Sequence, residues 1–251
     1  RVLCRALPWL DAANDPNQRA VVLAALSACP DVVPAYLASF GTDALAPRAN
    51  SADCLATYRL LARVLAAAPL GDVPARAGRA AARMTPMDAF LRVALPPALN
   101  KAVLTKGVLI GDGVLQAAVF RVAALALQRC GRLVRALEGS VVPSAGSAAA
   151  GVSRLAAAVA TGSDLRHALR NRLPEVQTLV SLRARLDPSV TAVAISAAAT
   201  AAAGGNVEGG SEKNGQGVSL YALLLRLLRL YQRWVPEAVA AASYDMLKLL
   251  P

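Results

Sequence analysis

Only one histidine, His167, occurs in a chain of 251 residues, and that scarcity removes most of the acid–base and metal chemistry that runs through imidazole. Aromatic residues make up just 4%, so there are no rows of rings on which unpaired bases could stack. The four cysteines, Cys4, Cys29, Cys54 and Cys130, stand far apart with no CxxC pair. Zinc ligands come paired on short turns, so a metal site is not expected. Each cysteine sits in or beside an apolar helical pattern and reads as a small buried hydrophobe in a reducing compartment. No alternating strand pattern, GxxxxGK[ST] loop or GxSxG elbow is present. Gly111-Asp112-Gly113 lacks the third glycine and the preceding strand of a dinucleotide site, which leaves a turn and a helix cap. The longest uncharged run, 188–207, mixes Ala with Ser, Thr and Gly and is less apolar than a membrane span needs.

Hydrophobic types make up 56% of the chain, enough to bury a sizeable core and to exclude a disordered tail. Acidic residues are the scarcer charge. There are 16 against 27 Lys plus Arg, a net charge of +11 that points to polyanionic partners. Only Lys101, Lys106, Lys213 and Lys248 are lysines, so the positive charge is mostly guanidinium. An Ala- and Arg-rich composition also arises from a GC-biased genome, which is the plainer account of the same numbers.

Helix punctuation organises the chain. Asp15-Pro16 reads as an N-cap followed by proline at the first helical position, and Pro30 closes that segment. Asp31 is expected to open a second helix that Gly41 ends. Ser51 caps a longer helix whose apolar positions Cys54, Leu55, Tyr58, Leu61, Val64 and Leu65 follow the 3.6-residue period, with Arg59 and Arg63 on another face. Residues 70–83 are looser, Thr85-Pro86 is a start signal, and Pro96-Pro97 is a stop. The longest helical candidate covers 112–138, with Leu115, Ala118, Val122 and Leu125 as the buried stripe and Arg121, Gln128, Arg132 and Arg135 as the polar one.

Two low-complexity stretches, 139–151 and 204–217, read as flexible loops. Between them lie a helix from Ser163 and another around 176–186. Leu220, Leu224, Leu227, Leu228 and Tyr231 form a strong apolar face with Arg226, Arg229 and Arg233 on the solvent side. Val235-Pro236 then starts a last helix through Val239, Met246 and Leu247. Helices joined by turns without a heptad repeat predict an all-α fold, an irregular helical-hairpin solenoid of armadillo or HEAT type. A single helical domain over 1–251 is expected. The start at Arg1 is read as marking a fragment of a longer chain.

No catalytic constellation can be assembled. Ser163 and Asp164 precede His167 at helical spacing, but a serine and an acid there serve as cap and first turn of a helix. The expectation is a non-enzymatic protein without cofactor or metal. The basic clusters are more informative. Arg76, Arg79, Arg83, Arg92, Lys101 and Lys106 face only Asp88 over 73–108, and they are the candidate phosphate contacts. Five arginines oppose Asp164 and Glu175 over 163–186. A solvated helix face is the alternative for either cluster.

Three stretches in order resemble the N-terminal domain of the nucleolar pre-ribosomal-associated protein 1 family. They are CPDVVPAYLASF (29–40) with PRANSADCLATYRLLARVL (47–65), then VLTKGVLIGDGVLQAAVFRVAALALQR (103–129), and then RLPEVQTLVSL (172–182) with LLRLLRLYQRWVPEAVAAASYDMLKLL (224–250). The Ala/Gly-rich insertions at 140–151 and 188–217 depart from the family. The resemblance implies a nucleolar scaffold of early 60S subunit assembly. Its partners would be pre-ribosomal RNA and assembly factors including a DEAD-box RNA helicase, with no membrane and no catalytic motif. A generic helical-repeat adaptor that binds only proteins is the other class left open, and an enzyme with an unrecognised site is disfavoured by the single histidine.

Overall fold

The computed structural model describes residues 2–68, 86–139, 163–182 and 220–242. Among them all regular structure is helical. The helices are α1 (Val2–Ala6), α2 (Pro16–Ala28), α3 (Val33–Ser39), α4 (Thr42–Leu45), α5 (Ala52–Ala67), α6 (Pro86–Ala94), α7 (Lys101–Leu109), α8 (Gly113–Gly139), α9 (Ser163–Arg172), α10 (Val176–Ser181), α11 (Leu220–Trp234) and α12 (Pro236–Ala241). Short 3₁₀ turns occupy Leu7–Trp9 and Pro30–Val32.

Side-chain oxygens account for several helix starts. Asp15 accepts from the backbone N–H groups of Asn17 (2.7 Å) and Gln18 (3.3 Å), donors that a helix N-terminus otherwise leaves unpaired. Ser51 accepts from Cys54 N at 3.2 Å, and Asp112 accepts from Val114 N and Leu115 N at 2.9 and 3.1 Å. Asn100 does the same for α7 through Val103 N at 3.0 Å. Two expected signals act differently. Asp31 lies inside the 3₁₀ turn and α3 starts at Val33, because Pro30 fixes the turn and Pro34 then seeds the helix. Gly41 does not end α3. Phe40 leaves the helix in extended backbone, and Gly41, at φ −72°, is the N-cap of α4.

The arrangement is set by three long helices running in one direction. Asn50 N donates to Asp112 Oδ2 (3.3 Å) where α5 and α8 begin, and Arg129 Nη1 donates to Ala68 O (2.9 Å) where α5 ends. α5 and α8 are therefore parallel. The Cβ position of Gly113 lies 3.4 Å from Leu220 Cδ1 at the start of α11, and Gly131 faces Trp234 at its end, so α11 is parallel to them too. α8 sits between α5 and α11 and also packs on α6 and α7, while α6 touches α3 and α9.

Because neighbours surround α8, its buried surface is wider than one stripe. Leu115 and Val122 are buried as expected, Ala118 and Leu125 are half-buried, and Val119, Phe120, Ala123, Leu127, Cys130 and Leu133 complete the covered surface. Over Gly113–Arg135 this helix is long and apolar enough to cross a membrane, yet most of that stretch is covered by the protein's own helices. The segment expected to be helical over 176–186 is α10, ending at Ser181, with 183–186 outside the described residues. Met246, Leu247 and the two low-complexity loops, apart from Gly139, also lie outside them.

The apolar face of α11 is buried throughout: Leu220, Leu223, Leu224, Leu227, Leu228 and Tyr231. At about 1.5–3 kcal/mol per large side chain, that face supplies on the order of 10 kcal/mol before ordering costs. Two buried phenol hydroxyls find acceptors, Tyr58 on Leu45 O and Tyr231 on Pro174 O, both at 2.9 Å. The second of these bonds joins the LPEVQTL and YQRWVPEAV segments in space.

Gly131 allows the closest approach. A Cβ there would overlap the Trp234 ring system. Glycine to alanine inside an exposed helix gains about 1 kcal/mol. At this crossing the overlap outweighs that gain, so Gly131→Ala is expected to destabilise by about 2 kcal/mol, lowering the melting temperature by roughly 4–8 °C in thermal denaturation.

Candidate nucleic-acid interface

The six candidate phosphate contacts divide. Arg76, Arg79 and Arg83 lie outside the described residues. Arg92 is exposed in the last turn of α6, where a cation complements the helix C-terminus. Lys101 and Lys106 are both on α7 and flank one shallow depression with Ala102, Thr105, Leu109 and Ile110. Lys101 is engaged there. Its Nζ donates to Glu175 Oε1 at 2.7 Å, and that bond holds the Glu175 carboxyl below its ordinary value. Lys106 is exposed.

A second basic surface is built where α8 and α11 lie side by side. Gln128, Arg226, Arg229, Leu230, Gln232 and Arg233 line one depression. The next is lined by Ala66, Leu125, Arg132, Arg135 and Trp234, and it shares Gln128, Leu230 and Arg233 with the first. Together they form one trough with five arginines on its walls and no carboxylate among its lining residues. The spacing explains it: Arg226, Arg229 and Arg233 recur along one edge of α11, and Gln128, Arg132 and Arg135 along the facing edge of α8. Arg226 to Arg233 spans roughly 10 Å along the helix axis. The Arg233 guanidinium stacks on Trp234 with its carbon 5.7 Å from the ring centroid, which fixes its direction.

Each of these arginines is legible as a solvent-facing residue of its own helix. Their assembly into one trough depends on the parallel packing of α8 against α11, which one-dimensional periodicity does not contain. The signal that was there is the absence of any acidic residue across Leu220–Trp234, a run that carries three arginines.

Beneath the trough, Arg129 is wholly buried, which the sequence pattern did not anticipate. It stands at the carbonyl-rich end of α5, bonded to Ala68 O, while Arg132 Nη2 reaches Leu65 O at 3.3 Å. The negative end of the α5 dipole is thus the counter-charge for both guanidinium groups. Burial and the neighbouring Arg132 bring Arg129 down to about 10, and among the described residues its Nε and Nη2 have no hydrogen-bond partner.

Chemistry elsewhere is sparse. His167 is exposed on α9 with Nε2 3.1 Å from Asn171 Nδ2. Cys130 is fully covered, and burial pushes its thiol up to about 12, which makes it a poor nucleophile. Cys54 is also buried, whereas Cys4 and Cys29 are only half-buried, and all four thiols are unbridged. Among the described residues no three of His, Cys, Asp or Glu come together as a metal site would require. The comparisons add no relative: no family model, curated protein or solved structure matches this chain.

Proposed function

We propose that this chain is a non-enzymatic scaffold of early 60S subunit assembly in the nucleolus. In this reading it holds pre-ribosomal RNA and assembly factors, a DEAD-box RNA helicase among them. The observation that carries the reading is its unneutralised basic surface. Lys101–Glu175 and Arg166–Glu237 are ion-paired, whereas the five arginines of the α8–α11 trough have no carboxylate among its described lining residues and can face a polyanion. The resemblance to the nucleolar pre-ribosomal-associated protein 1 family, over 29–65, 103–129, 172–182 and 224–250, supplies the cellular context. Its fold is proposed as an irregular armadillo- or HEAT-like solenoid. The parallel α5, α8 and α11, with α6 touching both α3 and α9, support that reading.

The test is to recover the protein from cells with its crosslinked RNA. Co-sedimentation with large-subunit precursors and crosslinks to their RNA are expected. Replacing Arg76, Arg79 and Arg83 with glutamine is expected to weaken RNA binding and to flatten its salt dependence by a slope of about 3, one per lost phosphate contact. A protein-only adaptor is favoured by a different feature, the 88% exposure of Trp9 and the 80% exposure of Val2. Absence from pre-ribosomal particles, together with partner binding insensitive to salt, would establish that second reading.

A further inference from the structure

We infer that the α8–α11 trough is a docking groove for the phosphate backbone of a nucleic acid, read by shape and charge and not by sequence. It depends on the proposed scaffold role only in taking RNA as that nucleic acid. Three properties of the trough point to phosphate. All five of its cations are guanidinium groups, whose planar fork matches two phosphate oxygens at once. Gln128 and Gln232 lie between them and supply neutral donors of the kind that fill out backbone contacts. Among the described residues no carboxylate lines the walls to neutralise the guanidinium groups or repel an incoming phosphate.

A protein partner is a poorer fit. Protein interfaces centre on a buried apolar anchor, and the apolar side chains here, Leu125, Leu230 and Trp234, are already half-buried in the fold. The single indole carries Arg233 and offers no row of rings for successive bases, so the groove suits the outside of a duplex better than a stacked single strand.

The test uses the whole chain with Arg135→Gln, Arg226→Gln and Arg229→Gln combined. All three are exposed and none makes a bond to the interior among the described residues, so the melting temperature is expected to stay unchanged. The probe is an RNA hairpin of about 20 base pairs, which spans the reach of typical duplex readers. Affinity is expected to fall about tenfold or more, and the slope of log K against log salt to flatten by about 3. A charge-matched control, Arg5→Gln with Arg48→Gln and Arg59→Gln, removes the same charge at exposed positions outside the trough and is expected to cost clearly less.

Equal loss in the control would show that only net charge matters and would overturn the groove. So would unchanged RNA binding in the trough variant. So would a trough variant that loses affinity for polyglutamate or for phosphatidylserine vesicles while keeping it for RNA. Trough-dependent RNA binding by a protein absent from pre-ribosomal particles would leave the groove standing and remove the scaffold role. Particle association with trough-independent RNA binding would do the reverse.

Discussion

Leu227→Asp is expected to abolish cooperative folding. Leu227 is wholly buried in the middle of α11, on the face that covers α8. The substitution removes a leucine from a close-packed site, at about 2–5 kcal/mol, and leaves a carboxylate without a partner, at a further 3–5 kcal/mol. That total approaches the roughly 5–15 kcal/mol by which ordinary domains are stable. Far-ultraviolet circular dichroism through a thermal ramp gives the measurement, and loss of the sigmoidal transition is the expected result. A transition at the wild-type temperature would mean that α11 lies on something other than this protein's core. Leu227→Met, which keeps the volume, is expected to melt within a few degrees of the wild type.

Alkali is expected to destabilise the protein from about pH 9 upward, through its buried thiol and phenols. Burial raises Cys130 from 9.0 to about 12 and Tyr36 from 10.0 to about 12, and it raises Tyr58 and Tyr231 as well. The unfolded chain gives up these protons near the ordinary values while the folded chain retains them. Stability is therefore full below pH 9 and falls as pH rises toward the folded values. Cys130 alone removes about 3 kcal/mol by pH 11. Arg129 acts in the opposite sense. Its folded value is depressed from 12.5 to about 10, so it returns about 1 kcal/mol over the same interval. The net is a falling melting temperature from pH 9 upward. Cys130→Ala is expected to flatten the first part of that fall, and an unchanged profile in this variant would contradict the assignment.

The helices were legible because their signals are local. Asp15, Ser51 and Asp112 cap the helices that they were expected to cap, since a side-chain oxygen reaching an amide two or three residues ahead needs no tertiary partner. Asp31 misled because Pro30 and Pro34 set the local backbone more strongly than the general preference of aspartate, and Gly41 misled because Phe40 already leaves the helix in extended backbone. The basic stripes of α8 and α11 were legible one helix at a time, but the trough was not. It is made by contacts between residues some hundred positions apart, and no period in the sequence encodes which stripes meet. Arg129 was illegible for a related reason. An arginine in an apolar pattern reads as the edge of a polar face until the carbonyl end of α5 is placed against it.

Parallel neighbours also dictate how late the structure closes during synthesis. Two antiparallel helices can pair as soon as a short turn is made, whereas here the bonds that tie α5 to α8 join residues 61, 62 and 67 positions apart. Contacts of such separation require a long loop to be ordered before any gain is realised, which slows the search. α8 leaves the ribosome with one flank uncovered and waits roughly eighty residues for α11, on the order of several seconds at ordinary elongation rates. Throughout that interval an apolar helix with few charges is open to solvent, which makes the nascent chain a client for chaperones until α11 arrives.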